Sequence, residues 1–424
     1  MHDQRYLRTH REEVLAGVRR KHVDLDLDAF YAAEGERLAL LATVEEAKAR
    51  RNAESQQIAA KKRAGEDASE VLAAMKELAD TIKASEARLK ELEARVDETA
   101  RWIPNFAHES VPDGRDAESN VQVAAWGEPP KSVFEPKPHW EIAEALGLID
   151  FARGPKLAGG GFPLFVGDGA RLVRALIDFM LEHHLKRGYV EVHPPIVVNS
   201  ECLTGTGQLP KLAGDMYRMS EDDLWLNPTA EVPVTNIYRE EILDAGKVPF
   251  RHTAYLPSFR REAGAYGKDT RGIVRLHQFD KVELVRFALP ENSYQELEEL
   301  RGDVESVLQA LEIPYRVLLL CAGDLSFAAA KCYDFEVWAA GEGRWLEASS
   351  CSNFEQFQAR RAGIRFRREA GEKPEFVATL NASGLALPRT IVALLENNQQ
   401  ADGSVAIPTA LRPYLGGQER LLRA

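Results

Sequence analysis

Between residues 71 and 96, Val71, Met75, Leu78, Ile82, Ser85, Leu89, Leu92 and Val96 recur at alternating steps of four and three. All but Ser85 are apolar, and a repeat of 3.5 residues on average keeps one stripe of a helix against a partner helix. This stretch is therefore read as a coiled-coil helix. The whole of residues 36–98 is rich in Ala, Glu, Lys, Arg and Leu, with one glycine (Gly65) and no proline. Leu40, Val44, Ala47 and Ile58 give the first half a similar but weaker stripe. The break at Ala64-Gly65-Glu66-Asp67 combines a C-cap glycine with an acidic restart, which predicts an antiparallel helical hairpin. Thirty helical residues span about 45 Å, so the hairpin is an arm.

The first helix and the tip of that arm carry Lys48, Arg50, Arg51, Lys61, Lys62 and Arg63. Such a row has two readings, a solvated face or a lever that touches phosphates. The net charge of −12 excludes wholesale coating of nucleic acid, but it leaves room for a local basic surface. With 424 residues, 45% hydrophobic and 28% charged, the chain has material for two to three domains. It contains no apolar run of membrane-spanning length. The N-terminal stretch is too polar for a signal peptide and too acidic for a typical transit peptide, so a cytoplasmic location is expected. Cys202, Cys321, Cys332 and Cys351 are scattered, without a C-x-x-C pair, which fits reduced thiols and predicts no zinc site. Cys351 and the histidines are read as core fillers or surface residues.

The organisation expected is an arm over 1–100, a Pro- and Gly-rich linker or extended wrap over 101–135, and one large α+β domain over 136–424. In that last part, helical patterns such as ARLVRALIDFMLEHHLKR are followed by short β runs such as DKVELVRF, YRVLLL and DFEVW. Consecutive β runs without regular intervening helices favour an antiparallel sheet flanked by helices.

Three stretches of this domain matter together. GYVEVHPPIVV places Gly188, Tyr189, Val192 and Pro195 after a long amphipathic helix. FRREAGAYGKDTRGIVRLHQFDKVELV gives Phe-Arg-x-Glu, a glycine-bearing loop, then Arg275, Phe279 and Glu283. NASGLALPRTIVALLENNQ is a turn that ends in Arg389 and opens an apolar helix. In order and separation these resemble the three signature motifs of class II aminoacyl-tRNA synthetases. NPTAEVPV (227–234), HQFDKVE (277–283), EASSCSNFEQFQARR (347–361) and the N-terminal hairpin narrow the resemblance to bacterial-type seryl-tRNA synthetases, over essentially the whole chain. The chain departs from the family pattern at Gly161, where an arginine is usual, at Arg261, where serine is common, and at Ala348, where a β-branched residue is more usual.

The resemblance implies activation of serine by ATP and its transfer to tRNA(Ser), with selenocysteine tRNA left open. It implies that Arg260 bridges the serine carboxylate and the α-phosphate, and that Glu262 accepts a hydrogen bond from the adenine amino group. Phe279 would stack on the base, and Arg275 and Arg389 would hold the distal phosphates. Arg261, Ala348 and Ser349 complete the implied ATP contacts. Glu347 and Ser350 would hold magnesium, since oxygen ligands suit that hard cation. Thr229, Ala230, Glu231, Glu283 and Ser383 would form the serine pocket, the acid that reads the hydroxyl being left open. Arg260, Glu283 and Arg389 are the implied catalytic set. The glycines after Glu262 would let the loop close over ATP. A homodimer is implied, with the basic arm gripping tRNA. Two alternatives are a ligase that loads a carrier protein, which the clean heptads count against, and a non-catalytic tRNA binder, which the intact Arg260, Glu262, Glu283, Glu347 and Arg389 count against. A duplicated copy that keeps the activity is a third.

Overall fold

The computed structural model describes residues 1–262 and 271–423. The chain forms two compact units, one of residues 2–19 with 23–104, the other of 105–424 with residues 1 and 20–22.

In the first unit the expected hairpin is formed by α1 (Leu27–Ala64) and α2 (Ser69–Ala100), antiparallel neighbours of 38 and 32 residues. The Asp26 carboxylate caps α1 by accepting from the backbone N–H groups of Asp28 and Ala29. Gly65 ends it with φ +74, and its N–H donates to the carbonyls of Lys61 and Lys62. That left-handed cap is why glycine stands there. On α2, Ile82, Leu92 and Val96 are buried and the other five seam residues half-buried, Ser85 included. On α1 the same face carries Val44 and Ile58, both buried, and then half-buried Arg51 and Glu54. Those two polar residues within the seam weaken the apolar period of the first helix. Of the basic residues, Lys48 pairs with Glu86 of α2 at 2.7 Å and Arg50 with Glu54 at 2.8 Å. Lys61 is half-buried, and Lys62 and Arg63 are exposed in the last turn of α1.

Among the described residues the second unit has a main sheet of eight strands. They are β1 (Val121–Trp126), β2 (Val190–Glu191), β3 (Phe250–Phe259), β4 (Gln278–Ala288), β5 (Tyr315–Leu319), β6 (Lys331–Ala339), β7 (Arg344–Asn353) and β8 (Ala378–Ala386). Their order across the sheet is β1-β5-β6-β7-β8-β4-β3-β2, and every pair is antiparallel except β2 with β3. The segment 101–135, read from sequence as linker or wrap, supplies the edge strand β1. The six residues VQVAAW pair with β5 through a bulge and stay largely exposed, so their β character was masked by the Pro and Gly clusters around them.

The helices that cover the sheet are α3 (His139–Leu146), α4 (Asp168–Leu185), α5 (Ser293–Ala310) and α6 (Leu387–Asn397). Leu297, Leu300, Val304 and Val307 of α5 recur on one helical face and are fully buried, as are Leu176 and Met180 of α4. They join one large core with Val282 and Leu284 of β4 and Leu380 and Ala382 of β8. Within it, Arg286 of β4 is 1% exposed and donates to the Tyr189 hydroxyl at 2.8 Å, to Glu296 and to Asp303. The buried guanidinium is thus fully paired, which locks α5 onto the sheet. Pro388 in the first turn of α6 suits a helix start and places Arg389 directly after it.

Leu92→Ala is expected to cost the helical unit about 3 kcal/mol in urea unfolding followed by circular dichroism, because Leu92 is 1% exposed. Leu72→Ala, one residue past the seam and half exposed, is expected to cost under about 1 kcal/mol.

Candidate active site

The site is built on one face of β4 and the strands beside it. Side chains alternate across a strand, so Phe279, Lys281 and Glu283 share a face of β4. Asn381 and Ser383 share a face of the neighbouring β8, where Ser383 stands opposite Glu283. Glu347 and Ser350 of β7 lie three residues apart and would point to opposite faces of a regular strand. The bulge between Glu347 and Ser349 adds one residue and turns both to the same cavities. Arg260 and Glu262 follow the end of β3, Glu262 at φ +49. Arg389 comes from the first turn of α6.

Two cavities adjoin. One, of about 140 Å³, is lined by Arg260, Glu262, Arg275, Phe279, the run Glu347 to Ser350, Ser383 and Arg389. The other, of about 370 Å³, is lined by Thr229, Glu231, Asp334 and Asn381 among others. Arg260, Lys281, Glu347 and Ser350 belong to both walls, so the cavities are two halves of one cleft.

In the first half, the Arg260 guanidinium lies 5.2 Å from the centre of the Phe279 ring and donates to the Pro228 carbonyl. Arg275 pairs with Glu262 at 2.7 Å. Arg389 donates to the carbonyls of Glu347 at 2.5 Å and Val274 at 3.3 Å. Three guanidiniums and a flat aromatic ring in the walls of one cavity suit a polyphosphate carrying a heterocyclic base.

The second half, the larger of the two, holds a buried polar network. Glu283, 1% exposed, accepts from Thr229 Oγ1 at 3.1 Å and Asn381 Nδ2 at 3.0 Å, and is paired with the ammonium of Lys281. Lys281 also donates to Thr229 Oγ1 at 2.7 Å. Glu231 accepts from Gln358 Nε2 at 2.7 Å, and Gln358 accepts from Thr379. Burial, reinforced by the neighbouring Glu283, pushes the Glu231 carboxyl up to about 7. Asp334, facing Glu347, is likewise pushed well above the usual carboxylate range by burial and by that neighbour.

The structure thus gathers Thr229, Glu231, Arg260, Glu262, Arg275, Phe279, Glu347, Ala348, Ser349, Ser350, Ser383 and Arg389 around one cleft. Glu283 stands one layer behind Thr229, Lys281 and Asn381 rather than at a wall. Ala230 is fully buried in an apolar cluster with Val234 and Leu256, so its side chain faces no cavity. Arg261 is exposed and lines neither cavity, and its backbone N–H donates to the Asp215 carbonyl. The loop expected to close over ATP, 263–270, lies outside the described residues. Gly161 has φ +79 and passes flat against His277, whose ring a Cβ there would meet at 2.4 Å. An arginine at this position would have to displace that ring. Lys281, Asn381, Gln358 and Asp334 escaped the sequence reading. Lys281 and Asn381 were legible as same-face neighbours of Glu283 and Ser383, whereas Gln358 and Asp334 carried no local signal.

The family model for the class II tRNA synthetase core domain (G, H, P, S and T) matches residues 216–398, and that for the seryl-tRNA synthetase N-terminal domain matches residues 1–107. The chain is 51% identical to the serine–tRNA ligase of Thermodesulfovibrio yellowstonii, over 98% of this chain and 99% of that one. It is 54% identical to the serine–tRNA ligase of Geobacillus kaustophilus, over 99% of both. Among solved structures, the seryl-tRNA synthetase of Pyrococcus horikoshii complexed with ATP superposes with a TM-score of 0.96 at 35% identity, over 100% of both chains.

Glu231 binds its proton more tightly folded than unfolded, so its contribution to stability is full below pH 4.5 and is lost as the pH rises through about 7. Glu231→Gln keeps an acceptor for Gln358 and carries no charge. It is expected to flatten that decline by up to about 3 kcal/mol and to melt above the wild type beyond pH 7, in thermal unfolding across a pH series.

Proposed function

The chain belongs to the seryl-tRNA synthetase family of class II aminoacyl-tRNA synthetases, and from that premise we propose how its cleft activates serine and delivers it to tRNA. A serine carboxylate oxygen attacks the α-phosphorus of ATP, the bond to the β-phosphate oxygen breaks, and pyrophosphate leaves. The 3′-terminal ribose hydroxyl of the tRNA then attacks the carbonyl carbon of the seryl-adenylate, and AMP leaves.

Both reactants of the first step are anions, so charge neutralisation and positioning matter more than proton transfer. The observation that carries this reading is that Arg260 lines both halves of the cleft. A planar guanidinium there spans a carboxylate in one half and an α-phosphate oxygen in the other. Glu262 takes the adenine amino group, Phe279 the face of the base, and Arg275 and Arg389 the distal phosphates. For Arg275 and Glu262 this means exchanging their mutual ion pair for ligand contacts. Glu347 and Ser350 offer hard oxygen donors on the shared wall, with the Asp334 carboxylate nearby, a set that fits magnesium. When bound, that ion would neutralise phosphate charge.

Serine occupies the second half, beside Thr229 and Glu231. Its ammonium group competes with that of Lys281 for Thr229 and Glu283, and its hydroxyl is read by the acids and, from the adjoining half, by Ser383. Alanine would leave those buried polar groups without the hydroxyl, a loss of several kcal/mol that a purely apolar pocket could not impose. The tRNA is gripped by the helical arm through shape and backbone, since a helical hairpin has little equipment for reading bases. Exposed Lys62 and Arg63 at its tip support that role. A homodimer and a cytoplasmic location follow the family pattern; no helix among the described residues is long and apolar enough to cross a membrane.

Serine-dependent exchange of labelled pyrophosphate into ATP tests the first step. Arg260→Ala is expected to lower it about 100-fold or more at unchanged thermal stability. Deletion of 36–98 is expected to keep exchange within about threefold and to abolish tRNA charging. Equal loss of both activities in the deletion would contradict the division of labour.

A further inference from the structure

Residues 271–277 return the chain from the nucleotide side of the cleft to β4 and carry Arg275, yet they form no strand and have no ladder of their own. Their position is set by a few specific bonds. His277 donates its backbone N–H to the Gly161 carbonyl at 2.9 Å, and the Val274 carbonyl accepts from Arg389. The Ile273 N–H, two residues before Arg275, points at Nε2 of His139 at 3.1 Å.

His139 opens α3 and is completely buried, as is Glu396 at the far end of α6. A backbone amide can only donate, so Nε2 of His139 must be the acceptor and Nδ1 must carry the ring proton. That proton is given to Glu396 Oε1 at 2.9 Å, which also takes the His139 backbone N–H at 2.8 Å. The other oxygen of Glu396 accepts from the N–H groups of Gly341 and Glu342. Every side-chain bond to Glu396 comes from a donor, so both of its oxygens act as acceptors and orient the ring.

His139, Glu342 and Glu396 also present ligand atoms within 4.8 Å of one another. A cation would require the Nδ1 lone pair, which the tautomer imposed by Ile273 has already committed to a proton. The cluster is therefore a relay of hydrogen bonds. Two neighbours tighten it. Gly272 has φ +76, and a Cβ there would come within 2.0 Å of His139 Nε2. Trp140 holds the Arg271 guanidinium 4.9 Å from its ring centre.

We infer that His139, locked in one neutral tautomer by Glu396, is a positioning residue for ATP: it fixes Ile273, and through it Arg275, relative to the helix that carries Arg389. The inference rests on the proposed adenylation reaction. Both arginines meant for the distal phosphates are referenced to the same helix, Arg389 by belonging to α6 and Arg275 through Ile273, His139 and Glu396. A shift of about 1 Å in such a group is enough to cost a large factor in rate or binding.

The two ring nitrogens can be removed separately. Asn reproduces the Nδ1 donor to Glu396 and loses the acceptor for Ile273, whereas Gln can supply an acceptor where Nε2 stood. In serine-dependent pyrophosphate exchange, His139→Asn is expected to raise the KM for ATP about tenfold or more, with the KM for serine within about twofold. His139→Gln is expected to recover most of that loss. A merely structural role would lower the melting temperature of both variants alike and leave the ratio of the two KM values unchanged, and that result would overturn the inference. Should His139→Asn fail to fold, 15N NMR of the wild-type imidazoles decides. A neutral Nδ1–H ring at neutral pH, assigned by its disappearance in His139→Gln, supports the lock, and an Nε2–H or doubly protonated ring refutes it. A wild type without serine-dependent exchange would overturn the enzymatic reading instead, whatever the tautomer.

Discussion

A carboxylate that is 1% exposed in the middle of a β-sheet has to be paired, and the pairing of Glu283 organises the rest of the catalytic unit. Its partners come from three places: Lys281 two residues away on its own strand, Asn381 on the neighbouring strand, and Thr229 from a separate segment. That requirement fixes the register of β4 against β8 and brings the segment around Thr229 and Glu231 to the sheet. A slip of one residue would turn Phe279, Lys281 and Glu283 to the opposite face at once. The network that satisfies one buried charge therefore also sets the walls of both halves of the cleft.

The two halves differ in what holds them. The half around Thr229 and Glu231 rests on strands and on buried side chains that satisfy one another, which suits discrimination among ligands that differ by a single hydroxyl. The nucleotide half is lined by side chains from segments beyond the strand ends, Arg260 and Glu262 on one side and Arg275 on the other. Those segments lean on a few specific bonds, from the side chains of His139 and Arg389 and from the backbone of His277, in place of strand ladders. Precision in the nucleotide half thus depends on the tautomer and orientation of buried His139 and of a few half-buried groups, and Gly161 and Gly272 are small because the rings of His277 and His139 need the space.

The sequence made the arm legible because an apolar period of 3.5 has few structural solutions, and Gly65 marked its turn. The first helix was harder to read for a definite reason: Arg51 and Glu54 lie within its seam. The motif residues were legible because three stretches, in order, resemble the signature motifs of a known family, and the structure brings most of those residues around one cleft. The edge strand β1 was hidden by the turn-forming residues around it. Arg261 and Ala230, adjacent to site residues in sequence, face away from the cavities because neighbours along a strand or turn diverge. His139 is the instructive omission. Lone histidines are usually core or surface residues, and only the fold brings this one against Ile273 and Glu396, residues 134 and 257 positions distant. Gln358 and Asp334 likewise acquire meaning only from strands and helices distant in sequence.

The central claim, that one chain both activates serine and hands it to tRNA, is tested most directly by incubating the purified protein with ATP, magnesium and unfractionated bacterial tRNA. Labelled serine, alanine and threonine would be supplied in parallel and acid-precipitable label counted. ATP-dependent attachment of serine, with alanine and threonine lower by about 100-fold or more, is the predicted result. Folded protein that attaches none of the three, or attaches alanine as readily as serine, would contradict it.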